Sequence, residues 1–451
     1  MLKFRHFFTA FITVCTLIAP VHAAPKEFNS ICQSDPSVPK AFVEWQKQAL
    51  KKENCARPIR YVKKKLPKKS PKTIGVTSIG DLPQSQCKLP QVGNYNRRGF
   101  GMGQGNLHAN AVIQVVPIKT SDAKSESNPQ KDYSQFFKFI HDAFANISDT
   151  GWNINIRIPD SYIEVPVELK SYGLGFNSEH GRSADRTRFV RDILPTIQSK
   201  VSITDAGIIW FVVPPKTSSK LFTDTADRFD INVGNKNYAM MAFNTGIDHY
   251  NESSWNARYF IGTVHELFHL GLSMDDHYGD KMGGGGNFGT GQWGNMSEIY
   301  MDWLAWDKWV AGLIADNQII CVSGNGNNYW IKPSTIQGAY EKLLMIPLGG
   351  TKAIAVESIR NSGFNYKIPK KHLGALVYTV DTSVQDHGRG VEVIKPDKRK
   401  VRKYKSPSAT NDDFRYSDYA LKLNESLTIS GYNITVVESG DFGDVINVSK
   451  I

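Results

Sequence analysis

Cysteine is scarce in this chain: five in 451 residues, with no C-x-x-C pair among them. That spacing argues against a cysteine-held metal cluster and for disulfides in an oxidising compartment. Long apolar runs are lacking too. After a brief one near the N-terminus, no segment approaches the roughly 20 apolar residues that span a bilayer, so no transmembrane anchor is expected. No D-x-D-x-D-G loop is present, which leaves a Ca2+ site around Asp275, Asp280 and the nearby glycines without support. Aromatic residues are nearly missing from the two basic runs. Only Tyr61 accompanies the lysines and arginines of 51–72, and only Tyr404 those of 395–405. Single-strand binders interleave several stacking aromatics. The runs behind the net charge of +11 therefore read as solvated tail or linker, and no nucleic-acid partner is expected.

What is present fits an exported globular protein. A chain of 451 residues exceeds what one core usually fills, so two or three domains are expected. Lys3 and Arg5 precede an apolar run over 7–19, and Val21-His22-Ala23 is an A-x-A-like cleavage site. The expected mature chain begins near Ala24 and is secreted, extracellular or periplasmic. Cys15 leaves with the signal, and Cys32, Cys55, Cys87 and Cys321 remain. Three pairings are possible; the expected one joins Cys32 to Cys55 and Cys87 to Cys321.

Residues 24–105 are rich in Lys, Pro, Ser and Gly, a basic, disulfide-bearing N-terminal segment that reads as propeptide, spacer or small cap, with one helix over 37–51. Periodic pattern begins near Ala109. It predicts strands over 111–117, 152–158 and 206–213, and helices over 133–147 and 186–194, the latter ended by Pro195. A helix over 255–270 is packed by Phe260, Val264, Leu267 and Phe268; a glycine-rich loop over 282–294 and a helix over 298–314 follow. From 319 the chain changes to short alternating segments, with strands expected over 342–346, 353–359, 375–380, 425–429 and 433–437. The expected units are 1–23 (signal), 24–105, 106–318 and 319–451.

One stretch organises the rest. His265-Glu266-Leu267-Phe268-His269 is an H-E-x-x-H pattern. On a helix of 3.6 residues per turn, its two histidines stand one above the other on one face. Two imidazoles so placed can share a Zn2+ ion, and Glu266 beside them can handle the proton of a water. An amphipathic helix with two incidental histidines is the plain alternative.

Two histidines do not complete a catalytic zinc site; a third protein ligand is expected. After Gly271 the chain offers Asp275, Asp276 and His277, near the spacing of the H-E-x-x-H-x-x-G-x-x-H layout. A different layout takes the ligand from the next helix as E-x-x-x-D, which Glu298 and Asp302 satisfy. Tyr278 and Tyr300 are candidates to donate to a developing oxyanion, or ordinary packing residues. His108, His141, His180, His249, His372 and His387 are isolated and take the reading of surface or satisfied core residues.

Gly271-Leu272, Asp276-His277-Tyr278 and Trp293-Gly294-Asn295-Met296-Ser297 resemble the secreted bacterial metallopeptidases of the immune inhibitor A family, whose motif is H-E-x-x-H-x-x-G-L-P-D-x-Y followed by a Met-Ser turn. Snapalysin, a small secreted protease, has a similar segment with an aspartate as third ligand. Trp303-Leu304-Ala305-Trp306-Asp307-Lys308 and the strand Gly374 to Asp381 resemble the family's later parts. The resemblance implies Asp276 as the zinc ligand and Met296 as the Met-turn residue. The order of preference runs Asp276, His277, Glu298, with Asp275 close behind. Two departures stand out: the glycine comes one residue early, and Ser273-Met274-Asp275 replaces a single proline.

The expected fold is α+β: a zincin-type catalytic domain, with a mixed sheet backed by helices and the H-E-x-x-H helix, then a β-sandwich-like C-terminal domain. The expected function is a secreted zinc metalloendopeptidase acting on proteins or peptides, with Glu266 as general base and His265, His269 and Asp276 as ligands. The other readings are an exported zinc-fold binding or adhesion protein without catalysis, and a zinc hydrolase of a non-peptide amide.

Overall fold

A computed structural model describes residues 61–93, 97–102, 105–175, 183–215, 217–218, 221–222, 233, 236–242, 260–277, 289–290, 293–297, 301–368, 370–384, 388–396 and 419–451. The expected signal, Cys32, Cys55 and the helix over 37–51 lie outside them. No helix among the described residues is long and apolar enough to cross a membrane.

The chain is α+β. After a two-residue strand, β1 (Val76–Thr77), it builds a sheet from β2 (Val112–Lys119), β3 (Asn155–Arg157), β4 (Ile163–Glu164), β5 (Ile208–Val213) and β6 (Asn237–Ala242). The order is β3-β2-β5-β6 with β4 also on β2, and each of these pairings is parallel, against the expectation of a mixed sheet. Parallel neighbours need crossover connections. Helix α1 (Pro129–Ile147) joins β2 to β3, and α2 (Ser183–Gln198) joins β4 to β5. Ile208, Trp210 and Val212 of β5 share a core with Phe136, Phe137 and Phe144 of α1; Ile209, Phe211 and Val213 share another with Phe189, Val190 and Ile193 of α2. Burial on both faces is why β5 reads as an unbroken apolar run.

Two helix boundaries differ from the periodic reading. α1 begins at Pro129, because Asn128 Oδ1 accepts the Lys131 N–H at 2.9 Å and proline suits a first helical position. α2 continues through Pro195 instead of ending there. Proline removes one backbone hydrogen bond, and Ile197, a turn beyond the buried Ile193, keeps the helix on the sheet.

Helix α3 (Phe260–Leu272) lies on the α1 side of the sheet, with Val264, Leu267 and Phe268 fully buried. Phe268 stacks on Trp303 at 4.5 Å and on Phe144 at 5.8 Å. Helix α4 (Ala305–Val310) is much shorter than expected; residues 301–304 are buried but not helical. Its first N–H, from Ala305, is accepted by the Glu357 carboxylate at 3.1 Å, so a distant strand marks where it starts.

Beyond α4 come β7 (Ile319–Cys321), β8 (Asn325–Ile331), β9 (Leu343–Gly349), β10 (Lys352–Ile359), β11 (Gly374–Asp381), β12 (Val391–Val393), β13 (Ser426–Ile429), β14 (Tyr432–Gly440) and β15 (Gly443–Lys450). They form two five-stranded sheets, β1-β8-β15-β14-β13 and β12-β11-β10-β9-β7. Ile354, Val356 and Val377 of the second sheet meet Tyr329, Ile434 and Ile446 of the first. The opposite face of the second sheet, with Met345, Ala355, Leu376 and Tyr378, joins the core that contains Phe268, Trp303 and Trp306.

The N-terminal segment is woven through this assembly. Val62 bridges Gly363, β1 runs parallel to β8, and Cys87 is disulfide-bonded to Cys321 as expected. Arg97 then bridges Met274, and the Leu107 N–H donates to the Gly271 carbonyl at 2.9 Å. The described residues of 61–107 form a strap that touches both the β-rich part and the end of α3.

Candidate metal centre

α3 carries His265 and His269 one turn apart, both buried, with ring centroids 4.6 Å apart. Each ring is held from behind by a backbone carbonyl: His265 Nδ1 lies 2.8 Å from the Asn295 oxygen, and His269 Nδ1 lies 2.7 Å from the Met274 oxygen. A carbonyl only accepts, so both rings carry a proton on Nδ1 and turn Nε2 inward.

The Met274 carbonyl reaches His269 because of how α3 ends. The helix runs through Gly271 to Leu272, and Ser273, at φ 56°, takes the left-handed conformation that reverses the chain. The Met274 N–H then points back to the Phe268 carbonyl at 3.0 Å. Gly271 serves a different purpose from the one its motif suggests. A Cβ there would collide with Leu107 of the strap, so glycine permits the close approach and serine makes the turn.

The turn delivers Asp276. Its Oδ1 is 3.0 Å from His269 Nε2 and 3.5 Å from His265 Nε2, and the two Nε2 atoms are 3.1 Å apart. A tetrahedral ion with bonds of about 2.0–2.1 Å spaces its donors by about 3.3–3.4 Å, so this near-equilateral triangle fits the base of such a site. His265, Glu266 and His269 also present donor atoms within 4.8 Å of one another, a group that could hold a metal ion. Glu266 Oε1 sits farther out, 4.0 Å from His265 Nε2, and at 23% its side chain is the most exposed of the four.

The carboxylates at the centre favour one positive charge, on His269. Burial and the His269 charge push the His265 imidazole down, to about 4. Burial also acts on His269, but the hydrogen bond and charge of Asp276, with Glu266 behind, outweigh it and hold that ring up, at about 9.

The other candidates are engaged elsewhere. Asp275 is buried and ion-paired with Arg98. That engagement leaves the calcium reading with Asp280, which lies outside the described residues. His277 turns its Nε2 to Asp307 of α4 at 2.8 Å, and its N–H to the Met296 carbonyl at 2.8 Å. Asp302 is buried against Lys308 at 2.6 Å. Glu298, Tyr278, Tyr300 and residues 282–288 of the glycine-rich loop lie outside the described residues, as do His180, His249 and His387. His108 is exposed, His141 bonds to Asp142 and Asn153, and His372 is buried away from the triangle.

Four supports of the centre went unread in the sequence: the carbonyls of Asn295 and Met274, the Asp307 carboxylate and the Arg98 guanidinium. Backbone carbonyls leave no residue-type signal. Arg98 and Asp307 are distant in the chain from the groups they touch, so no spacing rule reveals them. No protein-family model matches the chain, and no curated protein matches it.

Proposed function

We propose that this chain is an exported zinc-dependent metalloendopeptidase, of the kind its motif resembles in the immune inhibitor A family. In this reading residues 106–318 are a zincin-type catalytic domain, and 319–451 a β-sandwich-like domain. The observation that carries it is the triangle of His265 Nε2, His269 Nε2 and Asp276 Oδ1, with the partly exposed Glu266 beside it. The donors suit the ion: two imidazoles, both neutral once His269 gives up its proton to binding, and one carboxylate, with a position left over, are a catalytic rather than a closed donor set. The disulfide and the lack of a membrane-spanning helix among the described residues are compatible with export.

Each residue has a distinct task. His265 and His269 would hold Zn2+ through Nε2, their rings fixed by the carbonyls behind them. Asp276 adds the anionic third donor. When bound, the ion supplies Lewis acidity for hydrolysis. Glu266 accepts the proton of the attacking water and passes it to the leaving amine. Its greater exposure suits a group that must meet a protein or peptide substrate.

The test is Glu266→Gln, which keeps shape and removes the base. Casein or gelatin degradation by the purified protein should be stopped by a chelator and fall roughly 10²–10⁴-fold in the variant, with zinc content unchanged. Full activity in the variant would sink the mechanism. Zinc uptake without degradation of any protein tried would favour a binding role, and a non-peptide amide would be the next substrate class to assay.

A further inference from the structure

We propose that Arg98 is a positioning residue of the metal centre: it holds the Asp275–Asp276 turn where Asp276 meets the two histidines. The inference rests on the zinc reading above and extends it to the N-terminal strap.

The turn is held from the strap by two kinds of contact. In the backbone, the Arg97 N–H donates to the Ser273 carbonyl at 2.5 Å, and the Asp275 N–H donates to the Arg97 carbonyl at 3.2 Å. In the side chains, Arg98 pairs with Asp275, both essentially buried at 2% and 0% exposure. Arg98 is itself anchored on three sides. Its Nη1 donates to the Gly388 carbonyl at 3.2 Å, its carbonyl accepts the Trp306 indole N–H at 3.1 Å, and its N–H donates to Gln91 Oε1 at 2.7 Å. Gly390 leaves the guanidinium its room, since a Cβ there would strike Nη1.

A buried ion pair is a weak source of net stability, because desolvation offsets the attraction. What it does well is fix an orientation, and the residue it orients is the neighbour of Asp276. The backbone contacts set the position of the turn; the guanidinium sets its rotation. On this proposal Arg97 and Arg98 belong to the centre and stay with the mature protein, tethered also by Cys87–Cys321. That disagrees with removal of 24–105 as a propeptide.

Zinc affinity of the purified full chain, measured by competition with a chromophoric chelator, tests this, with near-UV circular dichroism reporting the fold. Arg98→Lys keeps the charge but loses the planar geometry; it should bind zinc roughly 10–100-fold more weakly with an unchanged spectrum. If Arg98→Met alone fails to fold, the paired Arg98→Met and Asp275→Leu removes both charges, a change buried pairs often tolerate, and the same loss is expected. A purely structural role would shift the unfolding midpoint and leave the affinity alone. Either folded variant binding zinc as tightly as wild type overturns the proposal, and so does a zinc-binding secreted form that begins after residue 98. Wild-type protein that takes up no zinc overturns the underlying reading instead.

Discussion

His265 and His269 stand on a helix whose own repeat brings them together, whereas Asp276 stands on a turn held by three separate parts of the chain. The helical half needs α3, the packing of Val264, Leu267 and Phe268 beneath it, and one backbone carbonyl behind each ring. The turn half needs Arg97 and Arg98 from the strap, Met296 from the segment before α4, and Asp307 within α4. The difference teaches where such a site is vulnerable. Local periodicity protects the first half, and long-range contacts must all be in place for the second.

The comparison can be broken most severely from the helical side. His269→Ala removes a donor atom without touching the packed face of α3, so zinc binding should be lost while near-UV circular dichroism is kept. Loss of both together would show that the helix depends on its histidine.

The next effect concerns the support of α4, which starts on Glu357. Burial pushes this carboxyl up to about 7, against the lowering effect of its hydrogen bonds with Ser334, Ala305 and Tyr378 and the charge of Lys308. Between about pH 4.5 and 7 the folded protein therefore binds more protons here than the unfolded chain. The contribution of the group is most favourable below about 4.5 and is lost as the pH rises to 7, a swing on the order of 3 kcal/mol. Glu357→Gln should flatten that part of the stability–pH curve and raise the denaturation midpoint above pH 7; parallel curves for the two proteins would refute it.

Asp307→Ala probes the turn half directly. Without its carboxylate His277 loses its partner, and zinc affinity measured by chelator competition should fall roughly 10–100-fold, the scale of outer-shell partners. Unchanged affinity would mean that the strap alone positions the turn. The smallest effect is expected at Ser273→Gly. Relief of the left-handed strain, about 1–2 kcal/mol, is partly offset by the entropy glycine loses on folding, roughly 0.5–1 kcal/mol. The net gain should be about 0–1.5 kcal/mol in denaturant unfolding, with no change in zinc affinity.

Legibility followed the range of the interaction. β5 and α1 were readable because their apolar repeats match burial on a sheet and against a sheet. β10 and β11 were readable for the same reason, lying between two cores. β7, β8 and β15 were not among the expected strands. β8 begins Asn-Gly-Asn-Asn and keeps three exposed residues at its start, so its place depends on pairing with β15 and β1 and not on its own apolar pattern. Pro195 and Gly271 were read as stops, and both lie inside helices, where packing outweighs the local signal: Ile197, just past Pro195, is buried in the sheet core, and Leu107 of the strap lies against Gly271.

The sequence by itself determined the helical half of the centre, since an i, i+4 pair of histidines with an intervening glutamate is a local pattern and a helix is a local structure. It left three cysteine pairings open, and the structure shows the Cys87–Cys321 bond that one of them contains. Tertiary structure alone decided among Asp275, Asp276 and His277. Consecutive residues on a tight turn point in different directions, and which of them faces the histidines depends on who holds the others: Arg98 takes Asp275, Asp307 takes His277, and Asp276 is left at the triangle.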